Sequence, residues 1–309
     1  MATTSSPRLG AALASPGEQS VRATRSVGSR SPLISALHRT IRNPMGLFGL
    51  VVLGLLVLAA IGAPVISPYD PLEQHVGAEL RPVGGEYPLG TDNLGRDTLS
   101  RIIFGSRSSL LVGVLAVALG AGIGIATGLA AGYFGGIVDT LIMRFYDALL
   151  SFPAILLGIA VVSVLGNGTL NVAYALAIAS LPTFARLMRS RVLAERERDY
   201  VLAAQCCGAG ANRIMWLHVL PNAVAPLLIQ ISLAMGFSVL AESGLSFLGL
   251  GTQPPFPSWG AMLNESRPYL RTAPWLAVFP GLALATLMLG LNFLADALRD
   301  ALDPRRTNA

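Results

Sequence analysis

The chain has 309 residues, 53% of them hydrophobic and 13% charged, with a formal net charge of +5. Soluble domains carry about 25% charged residues, so this chain has too little charge to cover a water-facing surface. All 22 basic residues are arginine, spread between apolar blocks, which excludes a nucleic-acid-binding patch, a Walker A loop and a lysine Schiff base.

Residues 1–42 are rich in Ser, Ala, Arg and Gly without an apolar core, and predict a disordered tail with no cleavable signal peptide. A charge-free apolar block over 45–66 follows, close to the ~20 residues a bilayer requires, with Pro44 before it and Pro64 at its end. This predicts the first transmembrane helix within 43–67. Residues 68–104 are polar, hold several Pro and Gly, and predict an extracytoplasmic loop. Asp97 and Arg101, four apart, suggest a short amphipathic helix on the membrane surface.

The next block, 110–138, carries Gly120, Gly124, Gly128 and Gly132 at a strict spacing of four. That spacing puts them on one helix face and predicts a seam where another helix packs closely. Asp139, Arg144 and Asp147 follow. Asp147 lies three residues after Arg144, and the simplest reading is a structural ion pair between them at the cytoplasmic membrane boundary, with a contact that changes on gating as the sharper reading. Residues 148–185 are free of charge and long enough for two spans, with Gly166, Asn167 and Gly168 as the turn.

Residues 186–218 are polar and rich in Arg. Gly208 and Gly210 break the helical pattern, Asn212 is a candidate cap, and Ile214 and Leu217 share a face of a second short helix. Cys206 and Cys207 are neighbours, which strains any disulfide between them, so they read as small packing residues. His38, His75 and His218 are too dispersed for a zinc motif. A fifth span starts at Pro221 and runs to about residue 250. It contains Glu242, an acid that must face protein or water, either capping amides of the Pro-rich loop beyond it or lining a path. The last span covers 272–295, and 298–309 is a polar tail.

The pattern thus predicts an all-α integral membrane protein of about six transmembrane helices. With the N-terminus inside, sixteen Arg fall on inner segments and six on outer ones, so the positive-inside rule places both termini and the 186–218 loop in the cytoplasm. No clustered His, paired intramembrane acids or nucleophile with a base appears, which argues against an enzyme.

The loop reading RSRVLAERERDYVLAAQCCGAGANRIMWLHVLPN resembles the EAA motif of binding-protein-dependent ABC importer permeases, with Ala203, Ala204, Gly208, Ile214, Leu220 and Pro221 at the matching positions. Leu202 stands where that family usually has Glu. PLGTDNLGRDTLSR from Pro88, GGIVDTLIMRFYDALLSFP from Gly135, AESGLSFLGLGTQPPFPSWG from Ala241 and LRDALDPR from Leu298 resemble the C-type permease of the oligopeptide and dipeptide importers. The resemblance implies a type I importer permease fold over 105–297, with coupling helices at 191–220. It implies a homologous second permease, two cytoplasmic ATP-binding domains that hold ATP and Mg, and an external substrate-binding protein. No cofactor, metal or nucleic acid is implied on this chain. It also implies a bacterial inner membrane location and a di- or oligopeptide substrate. Nickel or glutathione import, or a stand-alone channel or secondary carrier, are the alternatives.

Overall fold

The computed structural model describes residues 38–302. Among these, the secondary structure is helical apart from two isolated bridges in the polar loop. Five helices are long and apolar enough to cross a membrane, or six spans if one bent pair is counted as a span.

Helix α1, Pro44–Ile66, starts where Asn43 accepts the Met45 amide (3.0 Å) and Pro44 fills the first turn. Leu55, Leu58 and Ile61 on α1 are 61–72% exposed, a surface that only lipid or another apolar partner covers favourably. Helix α2, Thr98–Phe134, is 37 residues long, about 55 Å at 1.5 Å per residue. The chain then turns through α3, Gly136–Leu150, and α4, Ala154–Leu165, which meet at 93° around Pro153. Helix α5 is Thr169–Glu195, and α6 is the short Asp199–Cys206. Helix α7 runs over Ala211–Phe247 with a π turn at Ile214–Val219. The short α8, Trp259–Ser266, precedes α9, Trp275–Leu302.

The seam between α2 and α5 organises the bundle. Gly124 lies against Leu181 and Phe184, Gly128 against the Ala185 backbone and Gly132 against Val192. A Cβ at Gly128 would sit 2.8 Å from Ala185 Cα, so the two backbones touch with no side chain between them. Helix α1 docks on α9 by the same device, Gly49 meeting the carbonyl of Gly290.

Several sequence expectations change. Asp97 does not pair with Arg101: it caps α2 by accepting the Ser100 amide (2.8 Å) and hydroxyl (2.7 Å), and the expected surface helix is the first turns of α2. Arg101, 1% exposed, instead joins Arg96 in holding Asp92 and Glu265: Arg96 Nε lies 2.6 Å from Asp92, and Arg101 Nη2 2.9 Å from Glu265. This cluster ties the 67–97 loop to α8, and local spacing cannot reveal a partner 164 residues away. Charges taken from water at such a site persist because each finds an opposite one. In the 148–185 stretch, the first expected span is the 12-residue α4, turned 93° from α3 and packed on α5, because Pro153 cannot continue a helix. Residues 38–42, expected in the disordered tail, are helical, as are 298–302, expected in the C-terminal tail. The rest of both tails lies outside the described residues.

Candidate functional site

The ends of α2 and α5 remote from the polar loop carry α6. Asp199 stands in its first turn, where a negative charge suits the helix N-terminus. The helix ends in a Schellman motif: Ala209 donates to the Ala204 carbonyl (3.0 Å) and Gly208 to that of Gln205 (2.9 Å), with Gly208 at φ +80°. Only glycine adopts that conformation without strain, so the chain reverses here and enters α7 at once.

One side of α6 is anchored. Val201, fully buried, packs with Leu129, Met188, Val192, Ile214, Met215 and Val219. The Tyr200 hydroxyl donates to Glu195 (2.7 Å) and accepts from Asn222 (3.2 Å). Burial first, and then the Glu195 carboxylate, push that hydroxyl up to about 12, so it stays a donor at neutral pH. The other side is bare. Ala203, Cys206, Cys207 and Gly208 are exposed, and Ala204 is half-buried. Ala203, Ala204, Cys207 and Gly208, together with Arg213 and His218, border an open depression of about 410 Å³. A knob with small side chains outward and a fixed hydrophobic root can take a partner close to its backbone and pass a push to α5 and α7.

Of the six motif positions, Ala203 and Gly208 lie on the open face, and half-buried Ala204 borders it while packing on the root. Ile214 is buried in the root, Leu220 packs on it, and Pro221 is exposed. Leu217, expected to share a face with Ile214, is 63% exposed. Gly210, not Asn212, occupies the cap position before α7, without a side-chain cap bond. Pro221 does not begin a span. It sits inside α7, because the preceding π turn shifts the bonding pattern, with Leu220 N–H reaching the carbonyl of Met215, and so absorbs proline's missing donor and ring bulk. Both cysteines are free and exposed rather than packed.

The expected Arg144–Asp147 pair does not form. Asp147 pairs with Arg186, both half exposed, and Asp139 takes a bidentate fork from Arg189 (Nη2 2.6 Å), while Arg144 points to the surface. Two ion pairs therefore stitch α3 to α5. Glu242 is 1% exposed and does not cap loop amides. Its carboxylate accepts hydroxyl bonds from Ser246 (2.6 Å), Ser109 (3.2 Å) and Ser243 (3.4 Å), joining α2 to α7. No cluster of three or more metal-ligating side chains occurs among the described residues.

Residues 124–308 match the family described as binding-protein-dependent transport system inner membrane component, and residues 31–82 match the N-terminal TM domain of oligopeptide transport permease C. The chain belongs to that family of permeases. The dipeptide transport system permease protein DppC of Alkalihalophilus pseudofirmus is 41% identical over 275 residues, covering 89% of this chain and 90% of the relative. The di/tripeptide transport system permease protein DppC of Pseudomonas aeruginosa is 44% identical over 285 residues, covering 90% and 94%. The glutathione transport system permease protein GsiD of Pectobacterium atrosepticum is 45% identical over 259 residues, covering 83% and 85%. The permease is thus a multi-pass, non-catalytic inner membrane subunit of an ABC importer. Membership decides against a stand-alone channel or carrier, because the family is a component of a larger transport system.

Proposed function

We propose that this permease forms half of the pore of an ATP-driven importer of short peptides, and that α6 is its coupling helix. A homologous permease supplies the other half. Two ATP-binding domains, which hold the ATP and Mg, dock on Ala203, Ala204 and Gly208, and an external binding protein delivers the peptide. Both termini and α6 face the cytoplasm, and the 67–97 loop faces outward. The carrying observation is the bare small-residue face of α6 on a buried root continuous with α5 and α7. Permeases named for dipeptides and di/tripeptides, 41% and 44% identical over most of the chain, support the substrate class. A relative named for glutathione fits the same class, since glutathione is itself a short peptide.

The test is Ala203→Arg in the reconstituted importer. Its side chain enters open space, so membrane levels stay normal while ATP-dependent dipeptide uptake falls at least about tenfold, as expected when a charge blocks a close-packed contact. Undiminished uptake would remove α6 from the coupling role. The native cysteines report sidedness. An impermeant maleimide labels Cys206 and Cys207 in inverted vesicles and not in right-side-out ones. The reverse pattern would overturn the orientation.

A further inference from the structure

A cleft of about 340 Å³ lies between the end of α3 and α4, α5 and α7, and shares no lining residue with the depression on α6. Its walls include Phe184 and Phe237, and among these sit Ser180, Thr183, Gln230 and Ser238. The polar groups are the unusual part. Among the described residues, the side chains of Thr183, Gln230 and Ser238 make no hydrogen bond, although Ser238 is only 2% exposed and borders the cleft. Ser180 donates to the Ala177 carbonyl (2.8 Å) and keeps its acceptor capacity. Thr183 is the fifteenth of 27 residues in α5, and Gln230 the twentieth of 37 in α7, so both stand near the middle of a span. An unpaired amide or hydroxyl at that depth costs several kcal/mol against hydrocarbon. These groups therefore face water or a polar solute, and the cleft has room for several waters at about 30 Å³ each.

The charges confirm the direction of this face. Asp147 lies three residues before Leu150, and Arg186 three after Thr183, with Leu150 and Thr183 both in the cleft wall. The half-exposed Arg186–Asp147 pair is therefore one helical turn beyond the cleft. Charges left half exposed at a membrane boundary belong to an aqueous face, not a lipid one. The α1 surface shows the contrast: Leu55, Leu58 and Ile61 are exposed there without a polar group among them.

We propose that this cleft is the permease's own share of the water-filled path, and that Thr183, Gln230 and Ser238 hydrogen-bond the backbone of a peptide in transit. The assignment rests on the importer reading above and deepens it. A peptide bond offers one donor and one acceptor, and so do the Gln230 amide and each hydroxyl. No charged side chain borders the cleft, so the lining holds peptides by what they share and not by the charge of their side chains.

The test places the complete importer in lipid nanodiscs with Thr183→Cys, Gln230→Cys or Leu58→Cys, and follows modification by a cationic methanethiosulfonate with peptide mapping by mass spectrometry. Thr183→Cys and Gln230→Cys react at least about tenfold faster than Leu58→Cys in one or more nucleotide states, because only a wetted thiol ionises and meets the reagent. Dipeptide-loaded binding protein with ATP slows the reaction at both positions. Labelling no faster than at Leu58→Cys in every nucleotide state would overturn the proposal and mean that a partner fills the cleft. Denatured samples show that each thiol can react. Uptake of dipeptide by the unmodified importer is measured in parallel. Its absence would defeat the importer reading while leaving the labelling interpretable, and its presence with unreactive thiols would defeat this proposal alone.

Discussion

Replacing Gly128 by alanine tests the load carried by the α2–α5 seam. The new Cβ would lie closest to the Ala185 carbonyl oxygen, and 2.8 Å from Ala185 Cα and 2.9 Å from its carbonyl carbon, against 3.4 Å for an ordinary contact, so it is short by at least about 0.6 Å. The obstruction is backbone, and no side chain can rotate away. The helices must part, and the separation spreads to Gly124 and Gly132, one turn away on either side, whose own neighbours are the Leu181 and Arg189 carbonyls. Overpacking of this kind costs roughly 1–3 kcal/mol. Gly122→Ala is the matched control, since nothing lies within 4 Å of a Cβ there and alanine gains up to about 1 kcal/mol of helix propensity. The assay is unfolding of the purified permease in mixed micelles titrated with SDS. Gly128→Ala unfolds at clearly lower SDS than the parent, and Gly122→Ala at equal or higher SDS. Equal stability of the two variants would show that the seam is not in contact and refute the reasoning. Gly120→Ala should fall between them, because the nearest atom is the rotatable Ser180 hydroxyl and the Ala177 carbonyl, at 3.1 Å, need give only a few tenths of an ångström.

Two further changes probe the buried polar clusters. Glu265→Ala strips Arg96 and Arg101 of a shared partner and destabilises the fold by about 3 kcal/mol, as breaking a buried pair does. Arg101 is 1% exposed, so the loss in the same SDS titration changes little with added salt. Glu242→Gln keeps one acceptor oxygen and forces the hydroxyl bonds at the other position to reverse. It costs about 1–2 kcal/mol and leaves uptake intact. Lost uptake at unchanged stability would instead put Glu242 on the transport path.

Most spans were legible because each is a long apolar run with at most one charge, and the four-residue glycine spacing places Gly120 to Gly132 on one face whatever the partner. The break at Gly208 was equally local. Partners across the bundle were not legible. Asp147 finds Arg186 39 residues on, and Asp139 finds Arg189 50 residues on, distances at which spacing rules carry no information. The nearest arginine, Arg144, was the natural guess and the wrong one. Pro221 misled for a related reason: a proline reads as a boundary, yet the π turn lets the helix run through it. Gln230 belongs to no motif in the sequence, and only the geometry of α4, α5 and α7 showed an amide in a cleft that nothing satisfies.

The π turn over Ile214–Val219 holds one residue more than an α turn would. If it tightened to the ordinary pitch, everything after it on α7 would swivel by roughly 100° and slide by about 1.5 Å. Ser238 and Glu242 would then change neighbours as a set, while the helix stayed whole. The spiral slack is stored beside Val201 and the root of α6, which pack on the turn itself.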